Sequence, residues 1–401
     1  MEWKHYKMDE LIEEISMGPF GSDVKKEFYV DNGVPILNGS NLQGFKLQED
    51  SFGYLTKEKA DSLKKCNAHR GDIIVTHRGT LGQIVYVPVN SKYDRYVISQ
   101  SQFRFRCKAD FVDVQYLVYY FHTREGQYKI LANASQVGVP ALARATSTFR
   151  LIDIKLPPLD DQRRIASILS SLDRKIELNN KINADLEEMA QAIFKNWFVD
   201  FEPFKNGKFV DSELGMIPEG WKVGTLFDIA EIFDKKRKPL SGNVREKMDK
   251  IYPYYGATSC MDYVDDYIFD GIYTLIGEDG SVVKENGLPY MQYVWGKMWV
   301  NNHAHILQGK NGYSTEMIHA LLSITNIKFL VTGAVQAKLS QGNMQKILVA
   351  IPPKNVLDEI RPVIDNLYSK IRINTDENSR LSLLRDTLLP RLMSGELEVP
   401  E

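Results

Sequence analysis

Cysteine and long apolar runs are scarce in this 401-residue chain. Its three cysteines, Cys66, Cys107 and Cys260, have neither disulfide nor metal-site spacing, which is typical of a reducing compartment. No apolar run approaches the length of a membrane span, and the opening residues MEWKHYKMDE have no signal-peptide apolar core. We therefore expect a cytoplasmic protein without a membrane segment.

Catalytic signatures are missing as well. The sequence has no GxxxxGK[ST], HExxH, GxSxG or CxxC motif, and no adenine-methyltransferase motif pair. The adjacent carboxylates in Gly277–Gly280 fit a solvated turn better than a metal site. His303 and His305, expected on one strand face, lack a nearby third ligand. The sequence thus predicts no catalytic residue and no metal ligand, and favours a binding protein over an enzyme.

A strong excess of one charge is also absent, because the formal net charge is −2. Counts of Lys+Arg against Asp+Glu are 21 against 18 in residues 1–158, 6 against 9 in 159–203, 16 against 16 in 204–353, and 7 against 9 in 354–401. This balance argues against a generally basic nucleic-acid coat. A local basic site in the less acidic segments remains open, and the small excess in residues 1–158 is equally consistent with chance.

The most regular feature present is an apolar ladder that occurs twice at an offset of 195 residues. Its steps alternate between three and four, apart from a polar gap around Asn179 and Asn183 in the first copy and around Asn374 and Asn378 in the second. Every position but Glu377, which is equivalent to Ile182, is apolar. The positions are Ile165, Leu169, Leu172, Ile176, Ile182, Leu186, Met189, Ile193 and Trp197, and then Ile360, Ile364, Leu367, Ile371, Glu377, Leu381, Leu384, Leu388 and Leu392. Asn179 and Asn374 interrupt the two ladders at equivalent places. The narrow seam predicts two long helices of coiled-coil type and a tandem duplication of the chain.

Both helices are expected to begin after a Pro-Pro pair, with Asp160 and Asn355 as N-caps. Proline disrupts helix interiors because it lacks the amide proton. Pro362 therefore predicts a kink or a later start of the second helix, and Pro390 a kink or its end.

The remaining segments read as α+β, with short apolar strands that open into polar, glycine-containing loops. Helices are expected over 55–66 and 112–131, and a turn at Tyr254-Tyr255-Gly256-Ala257. The strand at 72–76 followed by His77–Gly82 is echoed by Gly271–Gly280 in the second half. The predicted divisions are a globular domain at 1–158, a long helix at 159–203, a second globular domain at 204–353 and a long helix at 354–401. The fold class is α+β, with two α/β globular domains, two long helices and an internal pseudo-twofold repeat.

Polar side chains suited to DNA occupy the loops of both halves. In the first half they are Lys25, Lys26, Asn38, Asn41, Thr76, His77, Arg78, Ser99, Gln100 and Ser101. In the second half they are Lys235, Lys236, Arg237, Lys238, Tyr254, Tyr255, Ser259, Asn301, Asn302, His303, Gln336 and Lys338. Arg, Asn and Gln pair with base edges, whereas Lys, Ser and Thr hold phosphates. A solvated basic turn at 235–238 and a surface ion pair at Arg78 are the alternatives.

Four stretches along the chain resemble the specificity (S, HsdS) subunits of type I restriction–modification systems. The segment from Leu156 to Asn180 resembles the central conserved region of that family. The segments Phe194–Pro203 and Gly215–Trp221 resemble the regions that follow it, and Leu388–Leu397 resembles the C-terminal signature. The two globular domains vary widely in this family.

The resemblance implies a function that the residues alone do not give. Each globular half would be a target recognition domain that reads one part of a split double-stranded DNA target, and the two long helices would pack as an antiparallel coiled coil. Two methyltransferase (M) subunits and motor-nuclease (R) subunits would be the partners. S-adenosylmethionine would belong to the M subunits, and ATP and Mg to the R subunits, so that this chain binds no cofactor itself.

Helix length suggests how the gap in such a target is set. About 39 helical residues rise roughly 58 Å, which corresponds to about 17 base pairs. The helix would then act as a ruler for the unread spacer. Two other functions stay open: the specificity module of a system in which restriction and methylation are fused, and a coiled-coil interaction scaffold without a DNA role.

Overall fold

The computed structural model describes residues 3–135, 138–333 and 336–399. The chain forms two compact units. The first contains Met1–Glu177 with Asn378–Glu401, and the second contains Leu178–Glu377. No helix among the described residues has both the length and the apolar character that a membrane crossing requires.

The first unit combines small sheets with short helices and one end of each long helix. Its strands and helices are β1 (Lys4–Lys7), α1 (Met8–Leu11), β2 (Ile12–Met17), β3 (Tyr29–Val30), β4 (Val34–Ile36), β5 (Gly53–Leu55), α2 (Lys57–Ser62), β6 (Asn67–Ala68), β7 (Ile73–Thr76), β8 (Ile84–Tyr86), β9 (Tyr96–Val97), β10 (Gln102–Cys107), α3 (Val114–His122), α4 (Arg124–Leu131), β11 (Ala134–Ser135), β12 (Ala141–Leu142), α5 (Ala145–Arg150), β13 (Asp153–Leu156) and the start of α6 (Leu159–Phe198).

Two sheets carry the loops of the first unit. One has the strand order β2-β10-β7-β8 and is antiparallel throughout. The other has the order β3-β5-β4-β9-β6, with a parallel pairing of β4 and β9 at Ile36 and Val97. Apolar side chains on β7 and β10, including Val75, Phe103 and Phe105, are fully buried. They pack with α3 and with Phe149 of α5, whereas Ile74 and Val85 on the other face belong to a second buried cluster, so the sheet is covered on both faces.

The second unit repeats this plan with longer central strands. Its strands and helices are β14 (Phe209–Val210), β15 (Ile217–Pro218), β16 (Lys222–Thr225), α7 (Leu226–Ile229), β17 (Ala230–Ile232), α8 (Gly242–Arg245), β18 (Tyr252–Tyr255), β19 (Cys260–Val264), β20 (Phe269–Gly277), β21 (Met291–Val300), β22 (Ala304–Gly309), α9 (Thr315–Ser323), α10 (Gln341–Met344), β23 (Leu348–Ile351) and the start of α11 (Lys354–Met393). The order of its main sheet is β17-β22-β20-β21-β18-β19, with β18 and β21 parallel.

The duplication is visible element by element. The sequence β1-α1-β2 recurs as β16-α7-β17 at an offset of 218 residues, from Lys4 to Lys222. In each copy the first strand pairs antiparallel with the strand that leads into the long helix, β1 with β13 and β16 with β23. α3 and α9 also correspond, since Asp113 and Ser314 each accept a hydrogen bond at the helix start. The α+β fold with an internal repeat is therefore confirmed.

Both long helices contain 40 residues and start 195 residues apart. The ladder that predicted them is partly correct. Ile165, Leu169, Ile360, Ile364, Asn179 and Asn374 are buried, and Leu172, Ile176, Leu367 and Ile371 are half-buried. Met189 and Leu384, however, are 51% and 46% exposed, so the ladder leaves the packed seam at these equivalent places. A strict 3.5-residue repeat drifts around a straight helix, which accounts for residues at the edge of the seam.

Hydrogen bonds across the seam fix the direction of the helices within the second unit. Asn179 donates to Glu377 Oε2, and Asn374 donates to Asn183 Oδ1, both at 2.8 Å. The partner number falls on α11 as the residue number rises on α6, so the pair is antiparallel. In the first unit the same helices are joined by Arg385 and Asp173 at 2.7 Å.

Several local predictions about the helices were wrong. α6 and α11 begin at Leu159 and Lys354, so Asp160 and Asn355 lie in the first turn and are not N-caps. α11 runs without a break through Pro362 and Pro390, so neither proline delays or ends the helix, and the kinks at these places stay a prediction. The expected delay at Pro362 does not occur because Ile360 and Ile364 on either side are buried in the core of the second unit, and the proline itself is exposed.

Elements in the globular parts differ at their ends from the predictions. The helix expected over 112–131 is divided at Thr123, whose Oγ1 donates to Tyr120 O at 2.7 Å and accepts from Gly126 N at 3.0 Å. The helix expected over 55–66 is limited to Lys57–Ser62. The turn expected at Tyr254 and Tyr255 is instead the end of β18. Side chains that cap or close a turn decided these boundaries more than the apolar pattern did.

Candidate nucleic-acid interface

Three loops meet at one edge of the sheet in the first unit. His77, which follows β7, donates from its amide to Ser101 O at 2.8 Å and accepts from Leu142 N at 2.8 Å. Gly79 donates from its amide to Pro140 O at 2.8 Å. We call the loops of residues 77–79, 101 and 140–142 the first recognition frame. Its main chain is fixed on both sides of Arg78, which forms an isolated bridge with Ala141.

The second unit builds the same frame from residues 278–280, 303 and 337–339. Glu278 donates from its amide to His303 O at 2.8 Å and accepts from Leu339 N at 2.8 Å. Gly280 donates to Ala337 O at 3.0 Å. The residue between them, Asp279, forms an isolated bridge with Lys338, as Arg78 does with Ala141 in the first frame. The main chain is therefore repeated, whereas the side chains it carries are not.

Glycine is required once in each frame. Gly79 has φ +89° and Gly280 has φ +75°, in the left-handed region that other residues rarely adopt. Neither site has a neighbouring atom within 4 Å of an added Cβ, so backbone conformation and not lack of space selects glycine. This left-handed turn directly follows Arg78 in the first frame and Asp279 in the second.

The neutral side chains of Thr76, Gln83 and Gln102 form hydrogen bonds that support the first frame. Thr76 Oγ1 donates to Gln83 Oε1 at 3.0 Å, and Gln83 Nε2 donates to Gly39 O at 3.0 Å. Gln102, which is 1% exposed, accepts from Ser99 N at 2.8 Å. Partial burial, the largest contribution, and the charge of Arg78 lower the pKa of His77 below its usual range, against a raising contribution from its hydrogen bond to Gln100 O. The imidazole of His77 is consequently neutral at neutral pH.

Ionised groups support the second frame. His305 Nδ1 lies 2.6 Å from Asp234 Oδ2, and its Nε2 lies 2.7 Å from Leu339 O. Arg237 Nη1 donates to Glu278 Oε2 at 2.6 Å and to the main-chain Ala304 O at 2.7 Å. The network thus ties β17, β20 and β22 to the loop at 337–339.

The electrostatics of this network centre on Asp234. Burial opposes its ionisation most strongly, but the hydrogen bond and charge of His305 and the charge of Arg237 outweigh it, so the pKa of Asp234 lies below its usual range. Ligand atoms of Asp234, Glu278 and His305 lie within 4.8 Å of one another, as in some metal sites. The Arg237 guanidinium contacts both carboxylates and supplies the positive charge that a cation would bring.

The predicted histidine pair does not converge. His303 precedes β22, is 46% exposed at its side chain and pairs through Nδ1 with Asp279 Oδ1 at 2.5 Å. His305 lies inside β22 and pairs with Asp234 in the interior. The expectation that both occupy one strand face was wrong, because the strand begins only at Ala304.

Most residues predicted for DNA contact in the first half lie on loops at or near the first frame. Lys25, Lys26, Asn38, Arg78 and Gln100 are exposed, and His77, Ser99 and Ser101 are half-buried. Two predictions are corrected. Asn41 is fully buried and donates to Gln48 O and Asp50 O, and Thr76 is 3% exposed and bonded to Gln83. Asn38 also works within the fold, since it accepts from Ser40 N at 2.8 Å.

The residues predicted for DNA contact in the second half also divide into accessible side chains and side chains that serve the fold. Lys235, Lys236, Lys238, Ser259, Asn302, His303, Gln336 and Lys338 are exposed, and Tyr255 is half-buried. Three predictions are corrected because the side chains serve the fold. Tyr254 is 2% exposed, Asn301 is 3% exposed and accepts from His303 N at 2.8 Å, and Arg237 belongs to the ionic network.

Sequence reasoning missed three side chains at these edges. Phe20, 81% exposed, lies next to Gly21, which packs against the Gln100 side chain. Arg144 is exposed, has φ +48° and lies two residues beyond the first frame. Asp279 was treated as a turn residue. The glycine- and proline-rich stretch around Phe20 was a usable signal, whereas Arg144 and Asp279 needed the loop pairings.

Comparison with known proteins identifies the repeated unit. A family model described as the type I restriction modification DNA specificity domain matches residues 1–188 and again residues 218–383. The two matches correspond to the two copies seen in the fold, and together they include both recognition frames.

Individual relatives agree with that match. The chain is 28% identical to the type I restriction enzyme MjaIX specificity subunit of Methanocaldococcus jannaschii, over 100% of this chain and 94% of the relative. It is 22% identical to the type I restriction enzyme HindI specificity subunit of Haemophilus influenzae, over 99% and 100%. The crystal structure of a type I restriction–modification S subunit from M. genitalium has the same fold, with a TM-score of 0.57, 18% identity and coverage of 98% and 96%.

Proposed function

Because this chain belongs to the type I restriction–modification DNA specificity family, we propose that it reads a split DNA target, one part with each recognition frame, and carries the enzymes that act there. DNA sequence recognition by two domains is the function of this family, and a specificity subunit is not itself catalytic. The alternative function, a coiled-coil interaction scaffold without a DNA role, is therefore not favoured.

One observation carries the split target. The main-chain hydrogen bonds of the first frame recur in the second, but Arg78 is replaced by Asp279, Ser101 by His303 and Ala141 by Lys338. Base edges in the major groove are distinguished by their pattern of donors and acceptors. A scaffold whose main chain is copied while its side chains change in charge and hydrogen-bonding character is suited to two different sequences.

Phosphate contacts would come from neighbouring loops. Lys25 and Lys26 lie in the loop after β2, and Lys235, Lys236 and Lys238 in the corresponding loop after β17, all exposed. Lysines position a protein on DNA without reading sequence. The arrangement separates positioning groups in one loop from reading groups in the frame.

Two methyltransferase subunits would dock on the long helices. Leu178 and Met189 are 53% and 51% exposed, and their equivalents Ile373 and Leu384 are 57% and 46% exposed. Eleven residues separate the members of each pair, which is about three helical turns, so each pair lies on one helix face. Two equivalent pairs of exposed apolar side chains, each with exposed charged residues between its members, fit two copies of one partner. Motor-nuclease subunits would join this complex for cleavage.

The cofactors would belong to those partners. S-adenosylmethionine would bind in the methyltransferase subunits, which flip an adenine out of the duplex to reach it. ATP and Mg would serve the motor-nuclease subunits. This chain contributes binding and orientation through its frames and helices.

Mapping methylated adenines tests the function. The chain is co-expressed with its methyltransferase subunit, and the modified positions in host DNA are mapped by sequencing. We expect one motif with two short defined sequences and an undefined gap of constant length. A purified complex that shows no sequence-dependent band shift and no methylation would contradict the proposal.

Docking is tested separately by native mass measurement of the complex. Leu178→Arg with Met189→Arg should remove one methyltransferase subunit, and Ile373→Arg with Leu384→Arg should remove the other. Ala184→Arg, at an exposed place on the far side of the same helix, is the matched control and should keep both. Full retention of both subunits by the two double variants would disprove these docking patches.

A further inference from the structure

Arg78 is presented at the first frame without an internal counter-charge. It is exposed, and among the described residues its guanidinium has neither an ion pair nor a hydrogen bond. Other arginines nearby are engaged: Arg104 and Arg106 pair with Asp72. Because the main chain at His77 and Gly79 is bonded on both sides, Arg78 projects from a fixed point, which is what a directional contact requires.

The equivalent place in the second frame has the opposite chemistry. Asp279 Oδ1 is occupied by His303 Nδ1 at 2.5 Å, and no contact of Oδ2 is found within the parts of the chain that the structure describes. The Asp279 side chain is 21% exposed, so the pair with His303 does not enclose it completely. The pair with His303 fixes the orientation of the carboxylate in the way that a hydrogen-bonded neighbour fixes a ligand.

The charges of the Arg78 and Asp279 side chains indicate whether these residues contact bases or phosphates. A carboxylate repels phosphate, so Asp279 is unsuited to the DNA backbone, and the equivalence of the two frames puts Arg78 in the same role. Arginine pairs with the O6 and N7 acceptors of guanine in the major groove. A carboxylate accepts from an exocyclic amino group, which cytosine and adenine present there and guanine and thymine do not.

We infer that Arg78 and Asp279 are equivalent base-reading residues: Arg78 selects guanine in one half of the target, and Asp279, oriented by His303, selects a cytosine or adenine in the other. This inference rests on the proposed function. It adds which residue determines which base class, and it makes the difference between the half-targets a consequence of one substitution in a copied loop.

The test is selection of bound sequences from a randomised DNA library. The probe is the complex of the full chain with its methyltransferase subunits, compared with complexes carrying Arg78→Gln, Arg78→Lys or Asp279→Asn. Gln and Asn pair with the N6 and N7 of adenine. We expect Arg78→Gln to lose guanine, and gain adenine or no preference, at one position of one half-target, with about 10- to 100-fold weaker binding to the original sequence.

The two half-targets serve as controls for each other. Arg78→Gln should leave the second half-target unchanged, Asp279→Asn should leave the first unchanged, and Arg78→Lys should keep guanine with weaker binding. Lys25→Gln, which removes a predicted phosphate contact, should weaken all sequences alike. Thermal melting verifies that each variant is folded.

The outcomes separate this inference from the function beneath it. A wild-type complex that selects no split sequence contradicts the proposed function. A wild-type complex that selects one, together with folded variants that select the same bases at every position, overturns the assignment of Arg78 and Asp279 alone.

Discussion

Asn374 donates from its side-chain Nδ2 to Oδ1 of Asn183 at 2.8 Å, which joins the polar gap of α11 to that of α6. Asn374 is 2% exposed, and Asn183 is half-buried with a second bond from its Nδ2 to Thr375 Oγ1 at 3.1 Å. A polar pair inside an apolar seam favours one register, because each amide depends on a partner at a fixed place on the other helix.

This pair predicts a measurable coupling energy. Asn374→Leu should lower the free energy of unfolding by about 1–3 kcal/mol, because the Asn183 amide loses its partner in a half-buried place. The double variant Asn183→Leu with Asn374→Leu should recover most of that loss, since both polar groups are then removed. Chemical denaturation of the four proteins in the cycle gives the coupling. Additive effects would show that the two amides do not interact.

Low pH should destabilise the second unit through protonation of Asp234. The folded-state pKa of this group is depressed, so the stability it contributes is fully present above its unfolded pKa of about 4 and is lost as the pH falls through the lower folded value. Asp234→Asn should therefore lower stability at pH 7 by about 1–3 kcal/mol and flatten the loss of stability below about pH 4.

Thermal melting between pH 7 and pH 3 measures both effects. Asp279→Asn is the matched control, because it removes a carboxylate of the same frame that lies outside the buried network. An unchanged acid dependence in Asp234→Asn would mean that other carboxylates set it.

The lysines after β17 should contribute to DNA affinity without changing which DNA sequence is selected. Changing Lys235, Lys236 and Lys238 together to Gln should reduce the slope of log affinity against log salt by up to about 2.7, at about 0.9 per phosphate contact. The selected sequence should stay the same. Band shifts at several salt concentrations measure the slope. The same change at Lys208, Lys222 and Lys354, exposed lysines outside these loops, should leave it unaltered.

The parts of this protein that sequence predicted are those set by local pattern. The ladder from Ile165 to Ile176 and its copy from Ile360 to Ile371 gave two helices, since burial on one helix face leaves a periodic trace. The buried strand before His77 was equally visible, because β7 is apolar throughout and ends at a glycine-rich loop.

Long-range pairing decided what the pattern missed. Asn41 and Arg78 are both polar loop residues, and only the fold shows that Asn41 holds the segment at 48–50 whereas Arg78 faces outward. In the sequence, nothing distinguishes Arg237 from its lysine neighbours. In the fold, Arg237 donates to Glu278, which follows β20 and lies 41 residues further along the chain. The prolines of α11 misled for the same reason, because packing outweighs the local cost of one lost hydrogen bond.

Helix length should set the gap in the target. An insertion of seven residues in α6 and seven at the equivalent place in α11 keeps the seam in phase, because seven residues complete one repeat of a 3.5-residue ladder. Each helix then grows by about 10.5 Å, which corresponds to about three base pairs. We expect the complex to methylate the same two half-targets with a spacer about three base pairs longer. Seven Gly/Ser residues inserted in the loop at 211–216, between β14 and β15, should leave the spacer as it was, since that loop lies outside both helices. A spacer of unchanged length in the folded, active helix variant would show that something other than the helices measures the gap.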